Sequence, residues 1–199
     1  LGASMTIGTY LLSDMIKSFL SIYPEVQILT TVDNTKVIEE MILSDQLDLA
    51  LVEGPTHSAD IVEETFRKDE LVLICSPEHP WAAKKQIEMR ELNDCSFIVR
   101  EEGSGTREIF EIAMASKKIK WKISGIYNNT ESIKNAVAAG IGIAVLSKLA
   151  VENEIKSGRI AMVKIHDLIF TRPFNLIYHK NKFFTPFMKS FKTICFSER

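Results

Sequence analysis

Val26-Gln27-Ile28-Leu29-Thr30-Thr31-Val32, then Asp33-Asn34-Thr35, and finally Asp48-Leu49-Ala50-Leu51-Val52 form the stretch that decides the fold. The first run is rich in β-branched residues and predicts a strand. Asp33-Asn34-Thr35 offers side-chain oxygens to a helix N-terminus, and Val37, Ile38, Met41 and Ile42 follow at helical spacing. The last run is short and continuously apolar, as in a parallel strand covered on both faces. Strand, helix and strand joined by short connections imply a parallel pair with a right-handed crossover.

The same grammar extends both ways. Upstream, Leu1-Gly2-Ala3 reads as the end of a strand, and Thr6-Ile7-Gly8-Thr9 opens a helix that Pro24 stops. Downstream, Leu71–Cys75 predicts a strand, and Ser76-Pro77-Glu78-His79-Pro80 breaks regular structure, as a crossover between two lobes would. A second body then repeats the pattern. Its strands are Ser96–Val99, Ile123–Tyr127 and Ile143–Leu146, and its helices start at Gly103-Ser104-Gly105-Thr106 and Asn128-Asn129-Thr130. Gly140 stands where a left-handed residue ends a helix. A helix near 148–156 and a strand near 159–164 follow. A late strand, Asn175–His179, and an amphipathic terminal helix pack most economically on the first lobe. The expectation is an α/β protein of two Rossmann-like lobes with hinge crossovers: lobe I from 1–75 plus 176–199, lobe II from 76–175.

The chain has 199 residues, 46% hydrophobic and 25% charged, which suits a globular chain and excludes collagenous or mainly disordered ones. No apolar run reaches the roughly 18 residues of a membrane span. The net charge of -2 does not suit a protein whose main surface grips phosphates. That average hides a split, with 4 basic and 13 acidic residues in 1–75 against 20 and 13 in 76–199. Lys117, Lys118, Lys120 and Lys122 form a tight basic cluster, most simply a solvated one. Cys75, Cys95 and Cys195 cannot all pair within one chain, so a reducing, cytoplasmic setting with thiols as small hydrophobes is expected.

Catalysis is disfavoured. No two histidines stand three or four apart, Cys75 and His79 are more economically structural, and no nucleophile-elbow, Walker or zincin motif occurs. No metal or cofactor is expected. Binding is better supported. Ser4-Met5-Thr6 and Ser104-Gly105-Thr106 occupy the same place in the two bodies, after the first strand and at the next helix start. Thr35 and Thr130 also open helices. Such loops lie at the strand carboxyl ends, where open α/β sheets bind ligands, and helix N-termini favour anions. Each hydroxyl could instead simply cap its own helix. Arg100 and Arg107 flank the second loop and could fork a carboxylate or phosphate, though Arg100 could equally pair with Glu101 or Glu102. Glu53 could meet a ligand amine or an arginine, or face water.

The chain resembles the effector-binding (substrate-binding) domain of LysR-type transcriptional regulators, with the type 2 periplasmic-binding-protein fold. The resemblance is carried by Gly2-Ala3-Ser4-Met5-Thr6-Ile7-Gly8, Phe19 with Tyr23-Pro24, Asn34-Thr35, and Leu47–Gly54. It continues through Asp69–Ile74, Ser76-Pro77-Glu78-His79-Pro80, Arg100–Arg107 and Glu131-Ser132-Ile133-Lys134 to Gly140–Ala144 and the late strand. It implies a ligand-sensing module that binds a small effector in an interlobe cleft and changes lobe and dimer geometry to control transcription; the paired Ser/Thr helix starts with Arg100 and Arg107 make a small anion the expected effector. The effector contacts it implies fall on Ser4, Met5, Thr6, Thr35, Glu53, Arg100, Ser104, Thr106 and Thr130. It also implies a homodimer or homotetramer with lobes paired antiparallel, no membrane partner, and DNA contact only through an N-terminal winged helix-turn-helix absent from this chain. A solute-binding protein of a transport system and a small enzyme on the same fold are the competing expectations.

Overall fold

The computed structural model describes residues 1–197. The chain divides into two compact units: unit 1 is Leu1–Lys68 with the chain from Pro173 onward, and unit 2 is Asp69–Arg172. The division falls inside one strand, between Lys68 and Asp69, rather than at the proline-rich turn after Cys75. Counted on these units, the charges are 9 basic and 12 acidic against 15 and 14, a net of -3 and +1. The charge contrast expected from the sequence therefore shrinks.

In unit 1, β1 (Gly2–Ser4) lies parallel between β2 (Thr31–Asp33) and β3 (Ala50–Glu53). The late strand β9 (Phe170–His179) joins β3 antiparallel, with Ala50 opposite Ile177 and Glu53 opposite Phe174. β4 (Ile61–Cys75) follows β9 in the sheet order. The expected strand over 26–32 is only three residues long because β1, its sole strand partner among the described residues, is itself three residues. The expected helix after Thr6 is two: α1 (Met5–Tyr10) and α2 (Leu12–Ile22), separated at Leu11. α3 (Thr35–Leu43) presents Ile38 and Ile42 to Leu47, Ala50, Val52 and Ile177, an apolar cluster built from the deciding stretch and the late strand. On the other flank, α2 meets the terminal helix α7 (Pro186–Ser197) through Phe19 and Phe191, whose rings are 5.8 Å apart.

Unit 2 takes the second half of β4, antiparallel to both β7 (Ala144–Ser147) and β8 (Ala161–Val163). β5 (Ser96–Arg100) and β6 (Lys122–Tyr127) pair in parallel. α4 (Gly105–Ser116), α5 (Thr130–Ala138) and α6 (Lys148–Lys156) cover these strands. Phe97, Phe110, Met114, Leu71, Leu73 and Val145 form the centre of one core, with Trp121 4.9 Å from Phe110. Gly140, at φ +74°, ends α5 as the sequence pattern required. Cys75 and Cys195 are buried, and Cys95 is partly buried. Lys117, Lys118, Lys120 and Lys122 are all exposed. Among the described residues, no helix is long and apolar enough to cross a membrane.

Candidate functional site

In unit 1 a helix starts directly after β1, in unit 2 one starts past β5 after Glu101–Ser104, and the two starts are chemically unlike. In unit 1, Ser4 ends β1 with extended backbone, and α1 begins at Met5. Ser4 does not cap α1. Its hydroxyl donates to Glu53 Oε2 at 2.5 Å and accepts from the Glu53 N–H at 3.1 Å. Thr6 donates to Glu53 Oε1 from its hydroxyl at 2.9 Å and its N–H at 3.3 Å. Glu53 is only 2% exposed. Its carboxylate thus takes the donors that an external anion would need, as expected of a buried charge that must be hydrogen-bonded. Thr35 donates to the Glu53 carbonyl at 3.0 Å, while Asn34 caps α3 by accepting from the Val37 N–H. Met5, between Ser4 and Thr6, is half-buried.

In unit 2, Ser104 precedes α4 with extended backbone and, like Ser4, makes no side-chain cap. Ser104 and Thr106 are each 3% exposed. Thr106 Oγ1 accepts from Arg172 Nη1 at 2.7 Å. Arg172 also donates from Nε to Asp69 Oδ2 at 2.8 Å, and Asp69 Oδ1 accepts from the Ser147 hydroxyl at 2.9 Å. The Arg172 and Asp69 side chains are 0% and 2% exposed, a fully buried ion pair at the two ends of unit 2. Asn129 caps α5 by accepting from the Ser132 N–H, leaving the neighbouring Thr130 hydroxyl outside the cap. The hydroxyls read from sequence as possible caps are therefore not caps, and asparagines cap α3 and α5.

The flanking arginines have internal partners. Arg100 is buried and bidentate on Glu101, through Nε and Nη2 at 2.8 Å each. Arg107 binds Glu111 one turn along α4 and the Arg100 carbonyl. His79 packs on Trp81 and accepts its N–H, and burial lowers the pKa of its imidazole. Among the described residues no group of three or more His, Cys, Asp and Glu could hold a metal ion. The structure therefore joins Ser4, Thr6, Thr35 and Glu53 in one cluster and places Ser104 and Thr106 at another helix start, with Thr130 at its own.

Sequence reasoning passed over Asp69, Ser147 and Arg172. One signal was present. The period of two puts Arg172 on the same strand face as Phe170 and Phe174, and all three are buried. A lone arginine between two aromatics on a buried face needs an internal partner.

The comparisons agree with this architecture. Residues 1–198 match the model of the LysR substrate binding domain. The chain belongs to that family. It is 32% identical over 193 residues to the HTH-type transcriptional regulator YeiE of Escherichia coli K12, covering 97% of this chain and 66% of that protein. It is 29% identical over 178 residues to CysL of Bacillus subtilis strain 168, covering 89% and 60%. The chain thus spans less than two thirds of the length of these relatives. Among solved structures, the CcmR regulatory domain of Synechocystis PCC6803, in complex with 2-PG, superposes with TM-score 0.90 at 26% identity, covering 98% of this chain and 94% of that one. The QuiR effector-binding domain, in complex with shikimate, gives 0.88 at 22%, covering 98% and 93%, a likeness of fold. The fold is that of LysR regulatory domains, α/β and of the type 2 periplasmic-binding-protein kind.

Proposed function

We propose that this chain is the effector-sensing domain of a LysR-type regulator acting in the cytoplasm, and that its effector is a small anion bearing a carboxylate or phosphate. The observation that carries this reading is the start of α4. There two nearly buried hydroxyls, Ser104 and Thr106, stand at the positive end of a 12-residue helix, beside the buried Arg172. The homologous regulatory domain of CcmR, solved with 2-PG, supports a small ligand. Ser4, Met5, Thr6, Thr35, Glu53, Arg100 and Thr130 belong to the same proposed set. Their internal bonds make Ser4, Thr6, Thr35, Glu53 and Arg100 shaping groups, with Ser104 and Thr106 as the donors. The role is sensing rather than turnover, and the kinship with transcriptional regulators favours it over solute transport.

The output follows from differential affinity: a ligand that prefers one conformation shifts the population by that preference alone. Dimerisation, with DNA contact through a separate domain, completes the proposal. Its support is an edge strand in each unit carrying exposed apolar side chains, Val32 on β2 and Ile123 with Ile126 on β6. Lobe charges of only -3 and +1 give such pairing little electrostatic steering. A thermal-shift panel of metabolites tests the reading. Saturable stabilisation by small anions, lost in Ser104→Ala, is expected. Stabilisation only by cations or neutral apolar compounds would contradict it.

A further inference from the structure

Unit 1 carries a groove of about 660 Å³ between the end of β9 and one face of α7, within the usual range of small-molecule sites, about 300–1,000 Å³. Its lining residues fall between Tyr178 and Ser197, so the groove belongs to this unit alone. Three aromatic rings wall it. Tyr178 and Phe184 stand edge to face at 4.6 Å, and Phe196 packs on Phe66 at 6.4 Å. The Lys192 ammonium lies 5.9 Å and 5.7 Å from the centroids of the first two rings. It also donates to Glu64 Oε1 at 2.5 Å, the same oxygen that accepts the Tyr178 hydroxyl at 2.7 Å. Rings and a carboxylate together hold an ammonium, and here the chain's own lysine fills that place. Three residues earlier on α7, Lys189 is exposed and, among the described residues, has no ion-pair partner. The Thr193 and Ser197 hydroxyls donate to the Lys189 and Ile194 carbonyls, so the two ammoniums are the donors this groove offers.

We infer that this groove binds a small aromatic anion, with its rings against Phe184 and Phe196 and its carboxylate or sulfonate at Lys189 and Lys192. A cation would meet two ammoniums and a Glu64 carboxylate that is already paired. An aliphatic anion would leave the ring faces uncovered. Two lysines against one carboxylate leave a single positive charge, which one anionic group balances. The last carbonyls of α7, towards Ser197, carry negative partial charge, so the anionic head lies at the Lys189 end and the rings at the Phe196 end. This site stands apart from the α4 reading, and neither depends on the other.

The test is a titration of the ¹⁵N-labelled chain with 2-naphthoate, with its neutral alcohol and with its methylammonium counterpart, followed by amide shifts. Saturable shifts are expected at Phe184 and over Lys189–Ser197 with naphthoate, weaker ones with the alcohol, and none there with the cation. Lys189→Gln should lower naphthoate affinity about two- to fivefold, the effect of losing one exposed ion pair, and leave the alcohol unchanged. Lys192→Met empties the place between the rings and Glu64. It should weaken naphthoate and admit the naphthylmethylammonium, a reversal that a merely adhesive apolar surface would not show. Lys189 is exposed, so its variant keeps the test open if Lys192→Met unfolds. Equal affinity for naphthoate and the alcohol, undiminished affinity in Lys189→Gln, or no saturable shift in this groove would overturn the inference. Naphthoate that moves only Gly105–Arg107 would overturn it too, while leaving the α4 reading in place.

Discussion

Breaking the Asp69–Arg172 pair should cost unit 2 more than any other single polar change, and the size of the loss can be worked out. Both side chains are essentially sealed from water, at 2% and 0% exposed, so Arg172→Met or Asp69→Leu leaves one buried charge without this counter-charge. Losses of that kind run to about 3–5 kcal/mol. For a chain of this length that lowers Tm by roughly 6–20 °C, a large part of a typical total stability of about 5–15 kcal/mol. The double variant removes both charges together. What remains is the loss of partners for Ser147 and Thr106, about 1–3 kcal/mol each where the group stays unsatisfied. The double variant should therefore fall well short of the summed singles, with a coupling energy of about 3 kcal/mol or more. Urea unfolding followed by tryptophan fluorescence is the suitable assay, because Trp81 and Trp121 both lie in unit 2. Singles that lose less than about 1 kcal/mol, or a double that is simply additive, would refute the assignment of this pair as a paired buried charge.

Three further outcomes are expected. Burial pushes the Cys75 thiol up to about 11, and burial together with Asp94 and Glu91 raises Cys95. Native-state labelling with a disulfide reagent near pH 7.4 should therefore be slow at both, and rapid modification of Cys75 in the folded chain would show this to be wrong. Burial and then the hydrogen bond to Glu64 hold Tyr178 at about 12, above its ordinary 10. A raised folded value gives stability that is complete below pH 10 and fades as pH climbs through about 12, so the phenolate absorbance of this ring should appear only well above its ordinary range. An ordinary titration midpoint for Tyr178 would contradict that. Phe97 is 1% exposed and packs 4.7 Å from Phe110, so Phe97→Ala should cost about 3–5 kcal/mol in chemical denaturation. A loss under about 1 kcal/mol would show that the core can close around the gap.

Much of the fold was legible because local pattern and tertiary role coincide. Leu49–Val52 is apolar because β3 and the residue before it are buried, and Gly140 sits at positive φ because α5 must end there. The strand over 26–32 was over-read because β-branched residues raise the propensity of a segment whose partner runs for only three residues. The first half of β4, Ile61–Asp69, was missed for the opposite reason. Glu63, Glu64, Arg67 and Lys68 look like a loop until Thr65 and Tyr178 are seen bonding across to β9 and β4. At the site, residue types were readable but bonding direction was not. Ser4 and Ser104 are equivalent in sequence, and only the fold shows that Glu53, 49 residues away, takes the donors of the first. Arg172 reaches Thr106 from 66 residues away, a distance no local rule covers.

Hydrogen exchange of the chain with and without the anion that stabilises it tests the claim of sensing most directly. Sensing requires that a ligand bound at α4 also change the strands by which the chain passes between the units. The expected result is slowed exchange over 103–108 together with altered exchange around Phe66–Val72 and Phe170–Asn175. Protection confined to 103–108, with both crossings unchanged at saturation, would mean that the domain binds its ligand without sensing it.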